Sequence, residues 1–369
     1  MKGQEKKNMI FHVPIHIDEN RASTSNIRPV KLMEAFREIG YDVDIVSGYA
    51  CQRREEIAKI KQKINDGVVY DFLYSESSTM PTLLTEKHHL PTHPFVDFPF
   101  FSFCREHKIP IGLFYRDIYW RFINKNKDYK QFVAKFFYQY DLRQYAKLLD
   151  VFFLPSHEMM KHIPIQFNGK VAEMPPGCDL HSTKPHKFDG QLRLLYIGGI
   201  GGTYDLKNMI RGVSKCKSAS LTICCRPDDW LPIKETYKAL VSDNIHIVHL
   251  RGEQLAELYS QSDIFSMFYS NDYMEFAAPY KLFDTLGYHM PILTSSKTWM
   301  GRFVEQNGIG IACENNVDVF CDTLYRIVQE PSLLDLYRRN VENIINANTW
   351  QYRAQQIKDV LRSIRKDNL

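Results

Sequence analysis

Little in this sequence marks a secreted, membrane-spanning or metal-binding protein. Its eight cysteines (51, 104, 178, 216, 224, 225, 313 and 321) include no C-x-x-C pair and no cysteine–histidine spacing of the zinc-site kind. Thiols scattered in this way argue against a disulfide framework and predict a reducing, cytoplasmic compartment. No run approaches the roughly 18 apolar residues of a membrane span. The basic start carries one short apolar run, broken by His12 and Pro14, which predicts a first strand and not a signal peptide. Charge is nearly balanced, 47 lysines and arginines against 43 acids, and a net charge of +4 is too small to argue for nucleic acid. Low-complexity segments, short repeats and the G-x-G-x-x-G dinucleotide fingerprint are all missing.

What remains is a globular composition, 44% hydrophobic and 24% charged, over 369 residues, enough for two ordinary domains. Strand-like apolar runs alternate with amphipathic helical segments, which predicts α/β layering on parallel sheets. In the first half, strands are expected near Met9–Pro14, Tyr41–Val46, Asp71–Tyr74, Pro110–Tyr115, Val151–Leu154 and Val171–Met174. A helix over Ile27–Ile39 should end at Gly40. The turn-rich stretch from Met174 to Lys187 has no period and reads as a linker, with the domain boundary near residue 180. A second α/β series follows, with strands at Leu192–Ile197, Ser220–Cys224, Ile245–Val248, Ile264–Met267, Pro291–Thr294 and Ile309–Ala312. Helices are expected over 315–329, 331–346 and Trp350–Arg365. Two such halves would leave a cleft, with ligands at the carboxyl ends of strands.

Three segments of the second half carry chemistry. A strand enters four glycines (Gly198, Gly199, Gly201, Gly202) and then a helix, where backbone N–H groups and a helix N-terminus can meet a phosphate; the alternative is a tight turn without ligand. Arg226 ends the strand Leu221–Cys225 and could grip a diphosphate in bidentate fashion, or pair on the surface with Asp228 or Asp229. A polar loop with Glu275 enters a helix near Ala277, on which Lys281 and Asp284 lie one turn apart. That lysine can meet a phosphate and that carboxylate the ribose hydroxyls, or the two can form a surface ion pair. Gly287 is expected to close the helix.

In order and spacing these segments resemble the nucleotide-sugar half of GT-B glycosyltransferases, closest to glycosyltransferase family 4 and its relatives. The linker signature is matched by Pro176-Gly-Cys-Asp179, the strand–glycine loop by Tyr196-Ile-Gly-Gly, and the sugar-nucleotide helix by Pro279-Tyr-Lys-Leu-Phe-Asp284. The first-half opening is matched by Ser23-Thr-Ser-Asn-Ile-Arg-Pro-Val-Lys-Leu-Met33 followed by Gly40-Tyr-Asp-Val-Asp44. The resemblance implies two Rossmann-like domains facing each other across a cleft: an acceptor-side domain over 1–180, a nucleotide-sugar domain over 181–347, and a helix over 348–369 crossing back to the first. It further implies transfer of a hexose-type sugar from a nucleotide diphosphate to a glycan or lipid-linked acceptor, metal-independent and retaining, in surface-polysaccharide assembly. No cofactor is implied; the nucleotide sugar is the donor substrate. Gly199, Gly201, Gly202, Arg226, Lys281 (with its neighbour Leu282) and Asp284 would hold the donor, with Glu275 beside its sugar. The chain departs from the family in the spacing of Glu275 and Asp284 and in lacking an arginine after the first glycine, which leaves Arg226 and Lys281, with Lys207, as the cations. Two rivals follow: a nucleotide-sugar epimerase of the same architecture, and a GT-B partner subunit that only binds.

On the acceptor side, Arg116 and Asp117 follow a strand end. Asp117 could orient or deprotonate a hydroxyl, or the two could be a structural pair. His16, Asp18, Glu19 and Arg21 follow the first strand. Asp42-Val-Asp44 spells a D-x-D metal motif but flanks a predicted strand, so no metal is assigned there. From Arg105 to Lys147, basic residues outnumber acids ten to four and alternate with many aromatics. In the helix after Tyr129, the apolar residues 132, 133, 136, 137, 140, 145, 148 and 149 form a stripe. That stripe reads either as a core face or as a basic–aromatic surface for anionic lipid; single-stranded nucleic acid ranks below both.

Overall fold

The computed structural model describes residues 7–17, 24–122, 129–182, 186–202, 204–269 and 272–367. Strands buried on both faces read as short continuous apolar runs, and runs joined by helical crossovers pair in parallel. Among the described residues twelve strands form two six-stranded parallel sheets. The chain divides into two units, Met1–Pro176 with Trp350–Leu369, and Gly177–Thr349.

Unit 1 runs β1 (Lys7–His12), α1 (Thr24–Glu38), β2 (Tyr41–Val46), α2 (Ala50–Asn65), β3 (Tyr70–Glu76), α3 (Asp97–Glu106), β4 (Ile111–Phe114), α4 (Tyr129–Leu148), β5 (Val151–Leu154) and β6 (Lys170–Glu173). Its sheet order is β2-β1-β3-β4-β5-β6. Unit 2 runs β7 (Leu192–Ile197), α5 (Lys207–Lys215), β8 (Ala219–Cys224), α6 (Pro227–Trp230), α7 (Lys234–Lys238), β9 (Ile245–Val248), α8 (Gln254–Ser260), β10 (Ile264–Met267), α9 (Tyr280–Gly287), β11 (Ile292–Ser295), α10 (Trp299–Asn307), β12 (Gly310–Cys313), α11 (Val317–Gln329) and α12 (Ser332–Ile344). Its order is β12-β11-β10-β7-β8-β9. The last helix, α13 (Trp350–Asp367), belongs to unit 1. Trp350, Ala354, Ile357 and Leu361 make its helical stripe and are buried. Gly112 in β4 makes room for it, because a Cβ there would meet Leu361 at 2.9 Å and Phe153 at 2.6 Å. Among the described residues no helix is long and apolar enough to cross a membrane.

Two expectations are corrected. The helix carrying Lys281 starts at Tyr280, not near Ala277, because Pro279 holds an extended backbone and serves as its N-cap. Gly287 is the last residue of that helix, as expected. The left-handed residue that ends the turn is His289 (φ 57), whose N–H bonds the Leu286 carbonyl at 2.9 Å. In α4 the apolar stripe divides: Phe132 and Phe136 are 74% and 59% exposed, while Tyr145 and Leu149 are buried together with Asp141 and Leu142.

Candidate functional site: two switch points

In an open parallel sheet, ligands bind outside the carboxyl ends of the strands where the winding direction reverses. Unit 2 reverses between β7 and β10, since β8 and β9 lie on one side of β7 and β10 to β12 on the other. The segments after β7, β8 and β10 are the three singled out from sequence. After β7, Gly198 N–H bonds the Cys224 carbonyl (3.0 Å), tying the loop to the end of β8. Gly201 and Tyr204 then exchange backbone bonds of 2.9 and 3.0 Å across a tight hairpin. Positive φ at Gly201 (89°) and Gly202 (57°) makes that reversal possible. Gly199 has another reason: a Cβ there would press the Tyr204 ring at 3.3 Å. The Tyr204 ring packs edge-on against Tyr269, whose hydroxyl bonds that of Tyr196.

Arg226 caps α6 and is 79% exposed; its Nε and Nη2 donate to Asp229 at 2.9 and 3.1 Å, and this pairing raises the guanidinium pKa further. Lys281 donates to Asp284 Oδ2 at 3.1 Å. The Asp284 carboxylate also accepts from the Tyr259 (3.4 Å) and Tyr280 (3.3 Å) hydroxyls. Both ion pairs weighed from the sequence are thus formed, and a phosphate would have to draw the cations from Asp229 and Asp284. In chain order Lys281 follows β10, as the glycine hairpin follows β7 and Arg226 follows β8, and β10, β7 and β8 are adjacent in the sheet. Lys207 lies at the start of α5, 3.6 Å from Asp205. The Leu282 side chain is fully buried, and its N–H bonds the Pro279 carbonyl. Glu275 closes a 3₁₀ turn with its side chain exposed, while its carbonyl accepts from Arg302 at 2.8 Å. No spacing in the sequence signals the parallel ring stack beside Asp284. There Tyr288 lies 3.8 Å from Tyr259 and 3.9 Å from His181 by ring centroids.

Unit 1 reverses between β1 and β3. After β1, His16 is exposed and stacks on Tyr49 at 5.8 Å; Arg21, with Asp18 and Glu19, lies outside the described residues. At the end of β3, Glu76 is fully buried and holds two guanidiniums, Arg28 Nε at 2.8 Å and Arg116 Nη2 at 3.0 Å. Arg28 also lies over the Phe114 ring, 3.6 Å from its centroid. The Arg116 guanidinium donates to Glu76 and, at 3.4 Å, to the Ser77 carbonyl. Asp117 accepts from Tyr119 N–H at 3.1 Å. Burial raises its carboxyl pKa against the opposing effects of that bond and of Arg116, which makes it a stronger base than an ordinary aspartate.

A second buried network has the outline of a nucleophilic triad. His12 meets Ser75 Oγ at 2.8 Å and Asp97 at 2.9 Å, and Arg53 clamps Asp97 at 2.8 and 3.0 Å. Ser75, His12 and Asp97 are at most 2% exposed, so the group pins α2 and α3 to the sheet and has no access to substrate. Burial lowers the His12 pKa more than Asp97 raises it. Below roughly pH 6.5 the unfolded chain takes up a proton that the folded His12 resists, so the unfolded state is favoured as pH falls. Urea midpoints for unit 1 are expected to drop between neutral pH and pH ~5, and a His12→Gln variant is expected to flatten that slope.

The D-x-D pair does not present two open carboxylates: Asp44 is taken by Lys63 (2.7 Å) and by the Tyr70 hydroxyl. It lines a surface cavity of about 500 Å³ at the amino-terminal edge of the unit 1 sheet, opposite the ligand-binding edge. Among the described residues, no three metal-ligating side chains gather.

Solved structures share this arrangement over almost the whole chain. A sucrose-phosphate synthase from Thermosynechococcus elongatus superposes with TM-score 0.63 at 12% identity, covering 97% of this chain and 99% of that one. Anabaena HepE, solved with UDP-glucose, gives 0.63 at 10% identity over 96% and 99%. WaaG, a glycosyltransferase involved in lipopolysaccharide biosynthesis, gives 0.60 at 12% identity over 96% and 99%. The chain has the GT-B fold. No family model matches the sequence, and no curated protein matches it either. At such identities the likeness rests on architecture, and within the GT-B frame each unit carries its own switch point.

Proposed function

We propose that this GT-B chain transfers a sugar from a nucleotide-diphosphate sugar to a glycan or lipid-linked acceptor in surface-polysaccharide assembly. The observation that supports the reading is that the glycine hairpin, Arg226 and Lys281 lie in the segments that follow the adjacent strands β7, β8 and β10 of unit 2. In this reading the diphosphate displaces Asp229 and Asp284 as the partners of Arg226 and Lys281. Asp284, released from Lys281, turns to the ribose hydroxyls, and Glu275 lies beside the sugar. As the sugar–phosphate bond breaks, negative charge grows on the leaving diphosphate. The two cations and the N-terminus of α9 are placed to neutralise it without a divalent ion. Asp117 serves the acceptor hydroxyl as base. Retention of configuration belongs to the same proposal.

The first test is ligand-induced stabilisation. HepE was solved with UDP and with UDP-glucose, so UDP is the first probe, beside the other nucleoside diphosphates. A ligand at a hundred times its Kd adds about 2.7 kcal/mol to the native state, an upward shift read in a thermal melt. The shift and the turnover are expected to persist in chelator, and a strict metal requirement would return the D-x-D segment to consideration. A candidate UDP-N-acetylglucosamine 2-epimerase from Listeria monocytogenes also superposes, with TM-score 0.52. Donor conversion with no acceptor present would favour that second reading.

A further inference from the structure

α4 presents to solvent what a soluble helix ordinarily hides. With 3.6 residues per turn, positions 132, 136, 143 and 147 fall on one stripe, with 135 at its edge, all within an arc of about 120°. These five residues are Phe132, Phe136, Arg143, Lys147 and Lys135, and every one is exposed. The opposite face anchors the helix. Asp141, its only acid, is buried and accepts from Thr82 N–H at 2.6 Å; the Tyr145 hydroxyl meets Thr82 Oγ1 at 3.0 Å; and Leu142 is fully buried. The outward face thus bears two large aromatic rings one turn apart, three cations and no carboxylate.

We infer that this face of α4 docks unit 1 onto an anionic lipid bilayer, the rings entering the interface and the cations pairing with headgroup phosphates. The charge pattern selects this occupant. Cations flanking exposed aromatic rings fit the interfacial region of an anionic leaflet. A second copy of this chain would bring cations against cations. Each ring moved from water into the interface is worth about tenfold or more in partitioning, and each cation about fivefold on an anionic surface. The docking does not depend on the sugar-transfer reading, because it needs no nucleotide and no turnover.

Vesicle co-sedimentation tests it, using the full chain with phosphatidylcholine alone and with phosphatidylcholine mixed with phosphatidylglycerol. The expected result is binding to the mixed vesicles only, weakening as salt shortens the screening length from about 10 Å at 0.1 M to about 3 Å at 1 M. The double variant F132S/F136S and the triple variant K135Q/R143Q/K147Q should each lower binding about a hundredfold. Both should melt like the wild type, since the anchoring face is untouched. Failure to bind the mixed vesicles, or unchanged binding by both variants, overturns the inference. So does a chain that self-associates through these rings, or binds single-stranded oligonucleotide, while ignoring vesicles.

Discussion

Replacing Lys281 with alanine is expected to lower kcat for sugar transfer by 10²–10³-fold, a loss of about 2.7–4 kcal/mol of transition-state stabilisation. Arg226→Ala is expected to do the same. In the proposed reading each side chain is a donor-site cation, and in the structure each is paired with one carboxylate, Lys281 with Asp284 and Arg226 with Asp229. Lys281→Ala has a second consequence, since Asp284 would keep only the hydroxyls of Tyr259 and Tyr280 as partners. Nucleoside diphosphate affinity should therefore fall together with turnover. Asp117→Asn is the control, because in the proposed reading its carboxylate, on unit 1, serves the acceptor and not the donor. It should depress turnover while leaving the UDP-induced melting shift nearly intact. Steady-state kinetics and thermal melts on the three variants separate these outcomes. Wild-type turnover in Lys281→Ala and Arg226→Ala would remove the donor site from this loop.

Glu76→Ala is expected to destabilise unit 1 by about 3–5 kcal/mol, the cost of stranding buried charge when one partner of an ion pair is deleted. Two guanidiniums, from Arg28 and Arg116, lean on this one fully buried carboxylate, and the Tyr74 hydroxyl donates to it at 3.1 Å. Arg28 Nη1 is buried without a hydrogen-bond partner among the described residues, so that side chain has little to fall back on. Urea unfolding of the unit 1 transition gives the number, and Glu76→Gln separates charge from shape. A loss below about 1 kcal/mol, the scale of an exposed pair, would mean that the cluster is compensated elsewhere.

The strands were legible because parallel strands buried on both faces are short apolar runs. The expected run Leu192–Ile197 is the observed β7, and Val151–Leu154 is β5. Edges moved where polar residues continue a strand: β3 extends to Glu76, beyond its apolar segment, because Glu76 has Arg28 and Arg116 to bury against. The Glu76 cluster was invisible in the sequence because its members come from α1, β3 and the segment after β4, and no periodicity joins them. The three donor-side segments stood out because each is a local departure from strand or helix pattern at a sheet edge. Whether their cations face a ligand or a neighbouring acid is decided by side-chain geometry, which spacing does not encode. The two readings of the α4 stripe stayed open for a related reason: apolar spacing marks a face, while which part of it is buried is decided by Thr82 and the aromatic rings around it.

Unit 2 is an insertion within unit 1. Its two ends lie side by side, Cys178 N–H bonding the Asn348 carbonyl at 2.8 Å next to a bridge with Thr349. This arrangement sets an order of events during synthesis. When Pro176 leaves the ribosome the sheet of unit 1 is written in full, yet the helix that covers Gly112 and packs on α1 is still to be made. At 5–20 residues per second the intervening unit takes on the order of ten seconds or more to appear. Unit 2 can finish folding in that interval while unit 1 waits with the seats of Ala354, Ile357 and Leu361 empty. The half that comes first in the gene is therefore completed last, and the waiting apolar face is the stretch of the nascent chain with most need of a chaperone.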